Sequence, residues 1–226
     1  DPTLATRAAE EGFRMDPAGW GVNAMMSAYR TNRMADAVDR YYAAARPGGC
    51  RWIGQWTQGS IAFHALGRYE EELAVAREGL QYWPEHRNLM NIEIRALVGM
   101  GRLDAVDSLL AVLEALPPGP GSDPALHPIY AAWHLKAHGY DAEAEALFDE
   151  ALEEFPSRTR FTDPADLSYY MGRSYYRARR WSEAEAAFRE LSPESSNSLD
   201  LVTLFGVTLA KLGDREGALA MKERAG

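Results

Sequence analysis

The sequence is short of several things, and each shortage closes off a class of function. It holds one cysteine, Cys50, so no disulfide can close within the chain and no cysteine-rich zinc site can form. That usage fits a reducing compartment. Basic residues are outnumbered, 24 Lys and Arg against 33 Asp and Glu, for a net charge of −9. Such a balance argues against nucleic acid as a partner, which calls for a strongly basic domain, and leaves room only for a local basic patch. No apolar run approaches the ~20 residues of a spanning helix, so membrane insertion is not expected. No signal peptide is present either, and the compartment is left open with the cytoplasm favoured. The first residue is Asp1 rather than methionine, from which we expect that the natural N-terminus is missing.

Motifs that organise a reaction are also missing. Gly99-Met100-Gly101 lacks the third glycine of a phosphate-binding loop, and no GxSxG elbow occurs. Cys50 has no histidine near it in sequence. The chain therefore reads as a non-enzyme without a cofactor.

What the sequence does have is a period. With 46% hydrophobic residues it can build a core. The stretch Ile53–His86 carries two amphipathic segments around Gly67-Arg68-Tyr69 and closes at Pro84. Thirty-four residues on, Gly67 is matched by Gly101, Phe63 by Leu97, Tyr69 by Leu103 and Pro84 by Pro118. This helix–turn–helix period, with Trp56, Phe63, Gly67, Tyr69, Ala76 and Pro84 in register, resembles the tetratricopeptide repeat (TPR). The resemblance implies an all-α fold, a right-handed α-solenoid of antiparallel helix pairs wound into a TPR-like superhelix.

On that template the chain divides into a half repeat at 1–17 and repeats at about 18–51, 53–86, 87–120, 125–158, 165–197 and 199–226, all in one domain. Asp16-Pro17, Asp123-Pro124 and Asp163-Pro164 open units, since aspartate caps a helix and proline suits its first turn. Turns fall at Asn32, Gly67, Gly101, Gly139 and Gly213, and Arg179 stands where a turn glycine is expected. The loop at 117–123 and a second near 159–163 are insertions. The half repeat and the lack of a polar helix after Gly226 predict that the sequence begins and ends inside a longer array. Glu72 falls where the family places a small residue against the partner helix, and register drift in that unit accounts for it.

The resemblance also implies that the first helices of successive units line a concave groove. Helical spacing selects the second, fifth, ninth, twelfth and thirteenth places of each unit for that face. These places hold Val22, Met26, Tyr29 and Arg30; Thr57, Ile61 and His64; Asn88, Asn91, Arg95 and Val98; Ile129, Trp133 and Lys136; Tyr169, Arg173, Tyr176 and Arg177; Thr203 and Lys211. Six basic residues there (Arg30, Arg95, Lys136, Arg173, Arg177, Lys211) face two acidic ones (Asp166, Asp200), so the groove is +4 and the remainder of the chain −13. Both acids lie in first helical turns, where the helix dipole accounts for them. An excess of this kind attracts an acidic or anionic protein or peptide segment.

The sharpest signal is the stripe Tyr169, Arg173, Tyr176 and Arg177. Two arginines at i and i+4 repel by about 0.2–0.5 kcal/mol unless an anion sits between them. They either take a ligand carboxylate or phosphate, or pair with acids on neighbouring helices and hold the stack. Trp133 is either a docking aromatic or a core residue. Asn91 with Arg95 resembles half of the carboxylate clamp of chaperone-binding TPR proteins, without the further Lys and Asn that such a clamp needs. Two other functions are weighed. One is an assembly scaffold that oligomerises through convex faces or array ends. The other is a metal-dependent hydrolase using His134 and His138 at i and i+4, with His127 seven residues earlier at a frayed helix start. The resemblance further implies a fragment of a larger bacterial signalling protein.

Overall fold

In a computed structural model of the chain, the structure describes residues 53–117, 122–191 and 199–225, with isolated positions between 7 and 15. Apart from those positions the half repeat, and with it the first full unit, Tyr29, Arg30 and Cys50, lie outside the described residues. Among the described residues there are ten helices and no strand: α1 Ile53–Ala65, α2 Tyr69–Tyr82, α3 Arg87–Gly99, α4 Leu103–Ala115, α5 Leu126–Ala137, α6 Asp141–Arg158, α7 Pro164–Arg177, α8 Trp181–Arg189, α9 Leu199–Leu212 and α10 Arg215–Ala225. They form five hairpins in two compact units, Asp1–Ser122 and Asp123–Gly226. Helices α1–α4 belong to the first unit and α5–α10 to the second.

Each hairpin closes by the same turn. A residue two or three beyond the helix end donates its N–H to a carbonyl five residues back: Arg68 to Phe63, Arg102 to Leu97, Tyr140 to Leu135, Arg180 to Tyr175 and Asp214 to Leu209, at 2.9–3.0 Å. This terminating geometry requires a left-handed residue just past the helix. Gly67, Gly101, Gly139 and Gly213 supply it with φ between +70° and +85°. Arg179 supplies it with φ +60°, the one non-glycine residue at positive φ among the described residues. The substitution noted from the sequence is thus real, and the backbone keeps the turn while the side chain bears the steric cost.

Within each unit a first helix packs on its own partner and on the next first helix, while the partner packs on that next helix as well. In the second unit α5, α6 and α7 enclose Ile129, Phe148 and Phe155, none of which has exposed surface. Burying a side chain of this size contributes about 2–3 kcal/mol. Gly172 lets α7 approach α8 closely, for a Cβ there would stand 2.4 Å from the Phe188 ring.

The start of α7 is set as its Asp-Pro pair predicts, whereas α5 begins only at Leu126, with Ala125 as its N-cap and Asp123-Pro124 in the turn before it. The Asp163 carboxylate accepts from the Ala165 N–H at 2.8 Å, with Pro164 as the first helical residue. Asp123 is buried; it accepts from the Ala125 N–H at 3.0 Å and from the Arg160 N–H at 2.8 Å. One carboxylate thereby fixes the turn leading into α5 and ties down the inserted loop after α6. Just before that loop α6 carries Pro156 inside and runs on to Arg158. Near a helix end the missing N–H of a proline costs one bond, and the buried Phe155 holds the turn in place.

Candidate partner-binding surface

The first unit turns its predicted binding residues inward. Glu72 on α2 has no exposed surface. Its carboxylate accepts from Arg95 Nε on α3 at 2.5 Å, and its second oxygen lies 2.7 Å from His64 Nδ1 on α1. A carboxylate only accepts, so Nδ1 donates. Arg95 also gives Nη2 to the Ser60 hydroxyl at 3.1 Å, and Ser60 donates to the Thr57 carbonyl at 2.7 Å. The result is a polar knot joining three helices. Register drift is therefore the wrong account of Glu72: the carboxylate sits in a packed interface because Arg95 and His64 meet it there, as a buried charge requires. Asn91 gives its amide to the Ser122 hydroxyl at 3.0 Å. Another buried cation, Arg87, donates to the carbonyls of Leu116 and, at short range, Pro117, neutralising the negative end of α4.

Two further residues assigned to the groove, Val98 and Ile129, have no exposed surface. A first helix that packs on two neighbours buries a wider arc than a single stripe, and these positions fall within it.

The second unit leaves more of its face open. Lys136 is paired with Glu145 across the α5–α6 hairpin. Trp133 is 43% exposed, with the His134 ring tilted against it at 5.1 Å between centroids. Tyr176 packs edge-on against Trp181 at 5.4 Å. Lys211 is exposed on α9. The two arginines of the α7 stripe have different fates. Arg173 lies over the Tyr169 ring at 5.2 Å, donates to its hydroxyl at 3.2 Å, and stands 3.7 Å from the Asp200 carboxylate on α9. Arg177 projects toward α5 and packs over two rings, Tyr130 at 4.7 Å and Trp133 at 5.3 Å.

Among the described residues no carboxylate pairs with Arg177. Burial pushes its guanidinium below the usual arginine value and the Arg173 charge acts in the same direction, while Tyr130 and the more distant Asp200 carboxylate partly offset both. A partly desolvated cation with aromatic walls and an open side is a place where an incoming anion gains most, because water screens it least. Tyr130 was not among the residues singled out from the sequence. Its signal was there, three places before Trp133 on the same face of α5.

For metal chemistry, no group of three ligating side chains converges among the described residues. His127, expected at a frayed start, is 2% exposed and inside the fold. Among the described residues no helix is long and apolar enough to cross a membrane.

Comparison with known proteins places this geometry among similar chains. No family model matches. The chain is 25% identical over 165 residues to the TPR repeat-containing protein YpiA of Bacillus subtilis, a match covering 73% of this chain and 37% of the relative, so it spans well under half of that protein's length. It resembles a crystal structure of a tetratricopeptide repeat protein from Parabacteroides merdae, with TM-score 0.51 and 18% identity over all of this chain and 86% of the other. A second similar structure is the Cut9–Hcn1 heterotetramer of the APC/C, with TM-score 0.50 and 12% identity over all of this chain and 43% of the other.

Proposed function

We propose that the chain, which resembles tetratricopeptide-repeat proteins in sequence and fold, is a non-catalytic scaffold that holds an acidic segment of a protein partner on the first-helix face of its second unit. One observation carries the reading. Arg177 is a partly buried cation enclosed by Tyr130 and Trp133, and among the described residues no carboxylate stands within ion-pair distance of it, Asp200 acting on it only from further off. Its fork donates two parallel bonds to a carboxylate, and the exposed Trp133 ring offers an apolar platform beside it. The partner segment then carries an acidic residue next to an apolar or aromatic one. Arg173 contributes a second positive charge one turn earlier.

A short fluorescein-labelled glutamate/leucine peptide tests this by anisotropy, with a glutamine/leucine peptide as the neutral control. Arg177→Gln should weaken binding of the acidic peptide about tenfold or more, the loss expected for one charge-assisted contact. Equal binding by wild type and variant, or equal binding of the two peptides, sinks the reading.

Assembly through the face of α9 and α10 is the second reading. One observation favours it: α9 and α10 border an apolar groove of about 540 Å³, lined by Val202, Val207, Ala210, Ala218, Leu219 and Met221. A second copy of the chain seated there would make the protein a dimer. Sedimentation equilibrium of wild type and Leu219→Lys decides it, since a monomer at all concentrations removes the reading.

A further inference from the structure

Asp200 opens α9, where the helix dipole alone would explain an acid. The side chain does something else. It reaches across to α7, where one carboxylate oxygen accepts from the Tyr169 hydroxyl at 2.6 Å and faces Arg173 Nη1 at 3.7 Å. Tyr169 and Arg173 are themselves joined at 3.2 Å, and the guanidinium is held over the Tyr169 and Tyr170 rings at 5.2 and 5.9 Å. Together they make a two-donor cradle, already shaped for a carboxylate and already occupied by one. The occupancy is loose, since 3.7 Å is well beyond the 2.7–2.9 Å of a charge-assisted bond and the Asp200 side chain is 53% exposed. One helical turn on, Arg177 has no such occupant among the described residues.

We propose that Asp200 is a built-in competitor for the partner: its carboxylate fills the Arg173–Tyr169 cradle, and an acidic segment anchored on Arg177 takes that place by displacing it. The inference rests on the binding reading above and sharpens the ligand. The segment has two carboxylates about 5–6 Å apart, the separation of side chains at i and i+4 on a helix. A single carboxylate engages Arg177 and leaves Asp200 in place. The internal carboxylate thereby sets a threshold that only a doubly acidic segment passes, a filter made by competition and not by an added contact. Burial, and next the hydrogen bond to Asp200, push the Tyr169 phenol up to about 12, so it remains a donor to whichever carboxylate is present.

The experiment measures, on the intact chain, the affinity of two labelled peptides, one with a glutamate pair at i and i+4 and one with a single glutamate. Asp200→Asn removes the competing charge and keeps an oxygen that accepts from Tyr169. It should tighten binding of the paired peptide about threefold or more, the worth of a half-exposed ion pair, and leave the single-glutamate peptide within twofold. Asp200→Ser repeats the test without the amide, and melting curves of both variants confirm the fold. Unchanged or weaker binding of the paired peptide to the two folded variants overturns the competitor role. Where wild type binds neither peptide, or binds both equally before and after Arg177→Gln, it is the underlying binding reading that fails, and the competitor role with it.

Discussion

Replacing Glu72 by glutamine probes the ion cluster built around a buried carboxylate in the described part of the first unit. Volume is conserved, so no cavity opens, and the change isolates the charge. Glu72 has no exposed surface, and its partner Arg95 keeps only 15%. Breaking a buried pair by neutralising one member costs about 3–5 kcal/mol, because the other charge is left uncompensated. Arg95 retains its bond to the Ser60 hydroxyl, and an amide oxygen still accepts from it, which reduces the cost to about 2–4 kcal/mol. The loss should fall on the amides of α3, so native-state hydrogen exchange across Ile92–Leu97 is the assay, supported by urea unfolding. The double variant Glu72→Leu with Arg95→Met replaces both charges by apolar groups and should return to within about 1 kcal/mol of wild type. A change below about 0.5 kcal/mol in the single variant would refute the claim that this knot holds α1, α2 and α3 together.

Other outcomes follow from the same physics. Gly139→Ala and Gly213→Ala should each cost about 1–2 kcal/mol by urea unfolding, purely from backbone strain, since a Cβ at either position meets open space. Arg179→Gly, at the one turn that lacks glycine, should be neutral or stabilising by up to about 1 kcal/mol, and a clear loss would contradict the strain account. Gly172→Ala forces a methyl against Phe188 and should destabilise the α7–α8 hairpin by about 1–3 kcal/mol, with thermal melts as the check. Tyr169 has a folded value raised to about 12 from 10.0, so its contribution to stability is full below pH 10 and is lost as pH rises through about 12. Phenolate absorbance should show one late-titrating tyrosine that moves earlier in Asp200→Asn.

The hairpins were legible because their turns are spelled in glycine. A left-handed residue is needed at the same point of each turn, and Gly67, Gly101, Gly139 and Gly213 mark it; even Arg179 could be placed by the period around it. The polar knot was not legible. Ser60, His64, Glu72 and Arg95 come from three helices and span 35 residues, and a helical wheel treats each helix alone. It therefore sent His64 and Arg95 to an open face and left Glu72 as an irregularity. Arg173 and Arg177 show the same limit from the other side. Their shared stripe follows from spacing, but only the packing of α7 between α5 and α9 gives one arginine an aspartate and the other a pair of rings.

The most direct test of the central claim, that acidic segments dock beside Arg177, is to watch the site while such a segment binds. In an isotope-labelled sample titrated with the glutamate/leucine peptide, the Trp133 indole N–H and the Arg177 Nε–H resonances should shift together and saturate at one Kd, and the Trp133 shift should vanish in Arg177→Gln. Saturable binding that leaves these two resonances unmoved would contradict the account.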